Sequence, residues 1–117
     1  MSAALQVQLT LINAIPVLHI RGEMRLDVSE VERALNRLSA GRPPVAVIDM
    51  SEVPFISSLG MGLLNGFRRG LLSHGGGITR LAALQPDVLK ALTLCRLTDL
   101  FEIHDNLDSA TSKPAVA

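Results

Sequence analysis

The sequence predicts a single α/β domain, with a mixed, largely parallel sheet of about five strands packed against three to four helices. Three observations support this fold class. The 117 residues match the size of one domain, and 48% of them are hydrophobic, which is enough for a core without disulfides. After an initial hairpin, strand-like and helix-like segments alternate, which favours parallel strands joined by helical crossovers. We place the folded core at residues 5–110 and a flexible tail at residues 111–117.

The first element is a β-hairpin. Residues 5–12 alternate apolar and polar side chains with a period of two, which indicates a half-buried strand. A short turn at residues 13–14 leads into a second strand at residues 15–20.

A helix follows the hairpin. Asp27 and Glu30 have the spacing of a capping box, in which each side chain accepts a hydrogen bond from a backbone N–H near the helix start. Gly41 ends the helix, and two prolines after it prevent continuation. The apolar positions between these limits recur at helical spacing: Val28, Val31, Leu35 and Leu38.

The continuous apolar run at residues 45–48 predicts a central strand covered on both faces, followed by a loop at residues 49–52. The predicted second helix begins at Ser57 and Ser58. The remaining elements are a stop at the glycines 75–77, a strand at 78–83, a helix from Pro86, a strand at 100–103 and a helical turn at 106–110. Cys95 falls on the apolar face of the third helix, so we predict a buried, unreactive thiol.

The composition excludes several classes of protein. Eleven basic and eleven acidic residues give a formal net charge of zero, which argues against a nucleic-acid binder. No apolar stretch approaches the roughly 20 residues that span a bilayer, and the first residues do not read as a signal peptide. With one cysteine and no internal disulfide, a cytoplasmic location is expected.

The sequence offers no enzyme site or metal site. His19, His74 and His104 lack metal-ligand spacing and are interpreted as structural or solvated. The glycines at 75–77 precede a strand and lack the Lys of a phosphate-binding loop. No Ser-His-Asp arrangement can be argued from spacing. We therefore expect neither catalysis nor a metal or other cofactor.

Ser57 and Ser58 are the strongest site candidates, and they have two interpretations. Serine is a preferred N-cap because its hydroxyl satisfies a backbone N–H at the helix start. A helix N-terminus also stabilises an added phosphate through exposed N–H groups and the helix dipole. Both interpretations can hold for one exposed hydroxyl.

The segment over residues 53–64 resembles the signature of the STAS domain, the fold of bacterial anti-sigma factor antagonists. Its usual form is apolar-Asp-Ser-Ser-Gly-apolar-Gly, and residues 56–62 of this chain read Ile-Ser-Ser-Leu-Gly-Met-Gly. Aligned on Gly60, Ser58 takes the phosphoacceptor position, with Ser57 as the second choice. Further matches over residues 5–110 are Gly22-Glu23 after the second strand, Pro86 and Val88 in the third helix, and Leu-Thr-Asp-Leu-Phe-Glu-Ile at residues 97–103.

The resemblance implies a partner switch. In that family, the unphosphorylated antagonist binds an anti-sigma factor that is also a serine kinase of the ATPase type, and this binding frees the sigma factor. Phosphorylation breaks the complex, and a serine phosphatase restores it. The alternative is a constitutive STAS scaffold or an accessory subunit of a lipid or ABC transport complex, without phosphorylation. The implied partner-binding residues are Glu23, Arg25, Ser57, Leu59, Gly60, Met61 and Gly62.

The chain departs from the family pattern at three positions. Ser57 replaces the Asp before the phosphoacceptor, Leu59 replaces a small residue, and Arg25 replaces the Asp of Gly-Glu-Leu-Asp. One interpretation is that the partner carries a compensating charge change. The other is that Arg25 is a solvated loop residue.

Three glycines recur every four residues in the second helix, at Gly62, Gly66 and Gly70. Each costs about 1 kcal/mol relative to alanine in a helix interior. They indicate either close packing on the sheet or a neighbouring helix, or a flat docking face for a partner or for a second subunit in a homodimer.

Overall fold

The computed structural model describes residues 5–112, which form one five-stranded sheet and four helices. The elements in chain order are β1 (Gln6–Ile12), β2 (Ile15–Arg21), α1 (Ser29–Ala40), β3 (Val45–Glu52), α2 (Ser58–Ser73), β4 (Ile78–Ala82), α3 (Pro86–Leu94), β5 (Glu102–His104) and α4 (Leu107–Ser112). The strands lie in the order β1-β2-β3-β4-β5; β1 and β2 are antiparallel, and every other neighbouring pair is parallel. The predicted fold class is confirmed.

The sheet separates two cores of unequal size. The larger core joins one face of the sheet to α1, α2 and α3, and residues such as Leu18, Ile48 and Leu64 are fully buried in it. The smaller core lies between the other face and α4, around Val17, Val47 and Ala110. Because β2 and β3 are parallel neighbours, the chain leaves both at the same end of the sheet.

The structure corrects the predicted loop after the central strand. Residues 49–52 continue β3, and Met50 is fully buried on the face covered by α1, α2 and α3. Asp49 points to the opposite face, where its carboxylate lies beside His19 of β2, so a charged residue is tolerated within the strand.

The predicted capping box is also wrong. Helix α1 begins at Ser29, and its N-cap is Val28, which makes no side-chain cap hydrogen bond. The carboxylate of Asp27 instead accepts hydrogen bonds from the backbone N–H and the hydroxyl of Ser29, at 3.2 and 2.6 Å. Glu30 forms an ion pair with Arg33, one turn along the helix.

Three smaller predictions need correction. Cys95 is exposed, because α3 ends at Leu94 and the helical face does not extend to the residue that follows it. The last strand begins at Glu102, two residues later than expected. Helix α4 extends through Ser112 and Thr111 is buried, so residues 111–112 are not part of a flexible tail; residues 113–117 lie outside the described residues.

Candidate functional site

The site is built where the loop after β2 runs beside the segment that leads into α2. Met24 and Ile56 form an isolated parallel bridge. The Met24 N–H donates to the Phe55 carbonyl at 2.9 Å, and the Ser57 N–H donates to the Met24 carbonyl at 2.8 Å. These backbone bonds hold the start of α2 against the β2 loop.

Ser57 and Ser58 have different roles in this structure. Ser57 is the N-cap of α2: its Oγ accepts a hydrogen bond from the Gly60 N–H at 3.2 Å, and its hydroxyl donates to the Arg25 carbonyl. Ser58 is the first helical residue and is exposed, and within residues 5–112 its hydroxyl has no hydrogen-bond partner. The capping interpretation is therefore confirmed for Ser57. The capping hydroxyl and the exposed hydroxyl therefore belong to adjacent residues.

The first turn of α2 is electrostatically suited to an anion. It contains no acidic residue, and the backbone N–H groups at a helix start carry a partial positive charge. Of those N–H groups, Gly60 is already bonded to Ser57. A phosphate on Ser58 would lie at the remaining N–H groups without a neighbouring carboxylate in the turn.

Gly60 is required by the packing of this turn. A Cβ at Gly60 would lie 2.9 Å from Cγ1 of Ile56 and 3.3 Å from Cβ of Met24. The helix can therefore approach the Met24–Ile56 bridge only with glycine here. Gly60 and Met61 are both buried, so these two predicted partner-binding residues lie inside the protein and support the surface from below.

Arg25 is held by two contacts within its own chain. Its guanidinium forms an ion pair with Glu23 and lies 4.3 Å from the centre of the Phe55 ring, close enough for a cation–π contact. The hydrogen bond from Arg25 lowers the pKa of Glu23, and the same hydrogen bond raises the pKa of Arg25. A charge that compensates Arg25 is thus already present two residues away in the chain.

Exposed apolar side chains occur on both segments that meet at the start of α2. Leu26 is 85% exposed and Leu59 is 53% exposed, and Phe55 is partly exposed beneath Arg25. Exposed hydrophobic residues next to a polar group are typical of an interaction surface.

The prediction that the α2 glycines pack closely on the sheet or on a helix is wrong. A Cβ at Gly62, Gly66 or Gly70 would meet nothing within 4 Å. The three positions line an open groove of about 340 Å³ between α1 and α2, bordered by Glu32, Asn36 and His74. The docking-face interpretation stays a prediction.

Sequence reasoning missed a chain of three polar side chains on the α4-covered side of the sheet. Asp49 Oδ2 lies 2.7 Å from His19 Nδ1, and His19 Nε2 lies 2.8 Å from Thr10 Oγ1. Burial raises the pKa of Asp49, but hydrogen bonds from the Ser51 backbone, His19 and the Ser51 side chain outweigh it and hold that pKa below its usual value.

The hydrogen bonds among Thr10, His19 and Asp49 link β1, β2 and β3. Neutral His19 can donate to Asp49 and accept from Thr10, and a protonated ring can donate to both. Both protonation states keep the two contacts, which fits a structural role for His19. Only the strand register brings these residues together, so spacing along the sequence gave no signal for them.

The described part of the chain contains no metal cluster and no candidate membrane span. Within residues 5–112, no three His, Cys, Asp or Glu side chains are grouped as metal ligands. No helix in that range has the length and hydropathy to cross a bilayer. Among the other histidines, His104 lies 2.8 Å from the Ser109 hydroxyl, and His74 is the exposed C-cap of α2.

Known structures share this architecture. An anti-sigma factor antagonist from Mycobacterium paratuberculosis is 25% identical, with a TM-score of 0.85 over 96% of this chain and 97% of that chain. The unphosphorylated form of the anti-sigma factor antagonist SpoIIAA is 24% identical, with a TM-score of 0.65 over 86% and 87%. A sulfate transporter family protein from Wolinella succinogenes is 20% identical, with a TM-score of 0.73 over 88% and 86%.

No curated protein sequence matches this chain. The family model of the STAS domain does match, and it covers residues 6–110, nearly all of the described fold. The chain therefore belongs to the STAS domain family.

Proposed function

We propose that this chain is an anti-sigma factor antagonist that acts by binding and is switched by phosphorylation of Ser58. Unphosphorylated, it binds an anti-sigma factor that is also a serine kinase of the ATPase type; phosphorylation releases that partner, and a serine phosphatase reverses the step. The chain acts in the cytoplasm and without catalysis of its own. The structural likeness to anti-sigma factor antagonists supports this class of function.

The observation that carries the proposal is the contrast between the two serines. The Ser57 hydroxyl is engaged by the Arg25 carbonyl and the Gly60 N–H, so its phosphorylation would remove the cap of α2. Ser58, one residue later, is exposed, and its hydroxyl makes no hydrogen bond within residues 5–112. A kinase can reach Ser58 without disturbing the fold.

The chemistry of the switch follows from the surroundings of Ser58. Leu26, Phe55 and Leu59 are exposed apolar groups that a partner would cover. A phosphate adds about −1.5 to −2 charges together with strongly hydrated oxygens. Removing that charge from water at an apolar interface is unfavourable, so the phosphorylated chain would lose the partner.

Glu23 and Arg25 are proposed to select the partner. The pair presents both signs of charge on the loop that contacts the start of α2, where the family pattern has two acidic residues. We expect Arg25→Asp to weaken binding of the cognate partner, because it removes the positive charge and leaves two adjacent carboxylates. Arg33→Asp is the control, since it reverses the charge of another exposed, ion-paired arginine, on α1, and should leave binding unchanged. Unchanged or tighter binding by Arg25→Asp would contradict this selection.

The alternative is a constitutive STAS scaffold or an accessory subunit of a lipid or ABC transport complex. One observation favours it. Ser57 occupies the position at which the family has Asp, and its side chain caps α2. A kinase that reads an acidic side chain at that position would not recognise this chain. In this alternative neither serine is modified, and binding does not depend on Ser58.

The experiment that separates the two candidates is a phosphorylation assay. The purified chain is incubated with ATP and the ATPase-type anti-sigma factor encoded nearest to its gene, and phosphoserine is mapped by mass spectrometry. We expect phosphate on Ser58 in the wild type and in Ser57→Ala, and none in Ser58→Ala. If no such kinase modifies either serine, the scaffold is the better explanation.

A further inference from the structure

Strand β1 is the long open edge of the sheet. It pairs with β2 along its whole length, from Gln6 opposite Arg21 to Ile12 opposite Ile15, and no other strand of residues 5–112 lies beside it. The opposite edge, β5, has only three residues. The outer side of β1 therefore presents a row of backbone N–H and C=O groups directed away from the sheet.

This edge lacks the usual protection against pairing. Edge strands of soluble proteins are commonly short, bulged, or interrupted by proline or charged side chains. β1 has seven residues, Gln-Val-Gln-Leu-Thr-Leu-Ile, with no charge, no proline and no glycine, and its register with β2 has no bulge. An unprotected edge of this length is suited to pairing with another strand.

The apolar side chains of β1 extend beyond the cover that α1 provides. Leu11 is 73% exposed and Leu9 is 39% exposed, although they lie on the same face of the sheet as buried Leu18. They form one wall of a groove of about 540 Å³, whose other lining residues are Thr10, Pro16, Arg37, Leu38, Gly41 and Pro43. The open edge thus has an exposed apolar face beside it.

The turn of the hairpin determines which backbone groups face outward. Asn13 and Ala14 both have positive φ angles, 52° and 64°, as in a two-residue type I′ turn, which closes on a hydrogen-bonded pair. Bonded and non-bonded pairs alternate from there, so Val7, Leu9 and Leu11 direct their N–H and C=O groups away from β2. The same three residues carry the apolar side chains.

We propose that β1 pairs antiparallel with β1 of a second copy of this chain, centred on Leu9, so that the two sheets become one continuous sheet. Leu9 then lies opposite the partner's Leu9, and Val7 lies opposite the partner's Leu11. Each of these pairs exchanges two backbone hydrogen bonds. On the other face, Gln8 lies opposite the partner's Thr10, and no like charges meet.

The self-complementarity of the strand favours a second copy over another occupant. The segment from Val7 to Leu11 has the same apolar and polar order in both directions, so an antiparallel copy matches apolar to apolar and polar to polar. A register shifted by two residues pairs only two of the three outward-facing residues within β1. The dimer does not depend on phosphorylation of Ser58.

Sedimentation equilibrium over a range of concentrations tests the dimer. The wild type is expected to dimerise, and Leu11→Lys is expected to weaken the dimer at least tenfold, because it places a charge in the apolar pairing face. Leu94→Lys is the matched control, since Leu94 is 75% exposed on α3; it should leave the dimer unchanged. Circular dichroism verifies that each variant is folded. A wild type that stays monomeric, or a dimer that Leu11→Lys leaves intact, overturns the proposal.

Cross-linking tests the register. In a Cys95→Ser background, Leu9→Cys is expected to form a disulfide between copies, because the Cα atoms of a hydrogen-bonded pair lie about 5.5 Å apart, within disulfide range. Leu11→Cys is the control, since it faces the partner's Val7 and should stay unlinked. Cross-linking of Leu11→Cys without that of Leu9→Cys would overturn the register.

Discussion

Helix α2 contains one glycine in a tightly packed environment and three glycines that face open space. Gly60 is buried, and a Cβ there would lie 2.9 Å from Ile56. Gly62, Gly66 and Gly70 face a groove in which a Cβ would meet nothing within 4 Å. Gly60 is thus required by the packing of the first turn, whereas the other three are not required by any contact in the described structure.

The first turn of α2 therefore contains residues that the fold requires and exposed residues that it does not require. At the first turn, Ser57 and Gly60 are committed to internal contacts, and Ser58 and Leu59 are not. The three groove glycines lower helix stability without improving packing. Both observations indicate that a partner would bind the exposed side of α2.

Gly60→Ala should have the largest effect on stability. The added methyl group overlaps Ile56 and Met24, and relieving the overlap must shift the helix or the bridge. We expect a loss of about 1–2 kcal/mol in the free energy of unfolding, after allowance for the helix preference of alanine. Urea unfolding measures this loss. A Gly60→Ala variant as stable as the wild type would show that the first turn is not tightly packed.

Ser57→Ala should cost about 1 kcal/mol, because it removes the N-cap of α2 and the hydrogen bond to the Arg25 carbonyl. Ser58→Ala is the control in the adjacent position and should change stability by less than about 0.5 kcal/mol. The same urea titrations compare the two variants. Equal losses would mean that Ser58 has a structural role and that the proposed division between the serines is wrong.

Gly66→Ala should have the smallest effect and the opposite sign. Its Cβ has open space, so the helix preference of alanine should raise the free energy of unfolding by about 0.5–1 kcal/mol. Thermal unfolding detects this as a higher Tm. A destabilised variant would show that the groove is closed in solution, by α1 or by another molecule.

The sequence predicted most of the fold because hydropathy patterns follow local structure. The alternation in β1, the helical spacing from Val28 to Leu38 and the serines at the start of α2 each depend on neighbours in the chain. The loop predicted at residues 49–52 was wrong because the partner of Asp49 is His19, 30 residues away. Long-range pairing of this kind leaves no local pattern.

The candidate site could be predicted only in part. The motif identified Ser57, Ser58 and Gly60, but it could not separate the capping hydroxyl from the exposed one, since that depends on where the loop carrying Arg25 lies. The ion pair of Glu23 with Arg25, and the position of the Arg25 guanidinium over the Phe55 ring, also follow from tertiary structure. The sequence also could not show that Gly62, Gly66 and Gly70 line a groove, because that position depends on tertiary structure.

The central claim is that phosphate on Ser58 controls partner binding, and an affinity measurement tests it most directly. The chain is prepared unphosphorylated and with phosphoserine at position 58, and each form is titrated against the kinase that modifies it. We predict that phosphorylation weakens binding at least a hundredfold, while Ser58→Ala binds as the unphosphorylated wild type does. Equal affinity of the two forms would contradict the account.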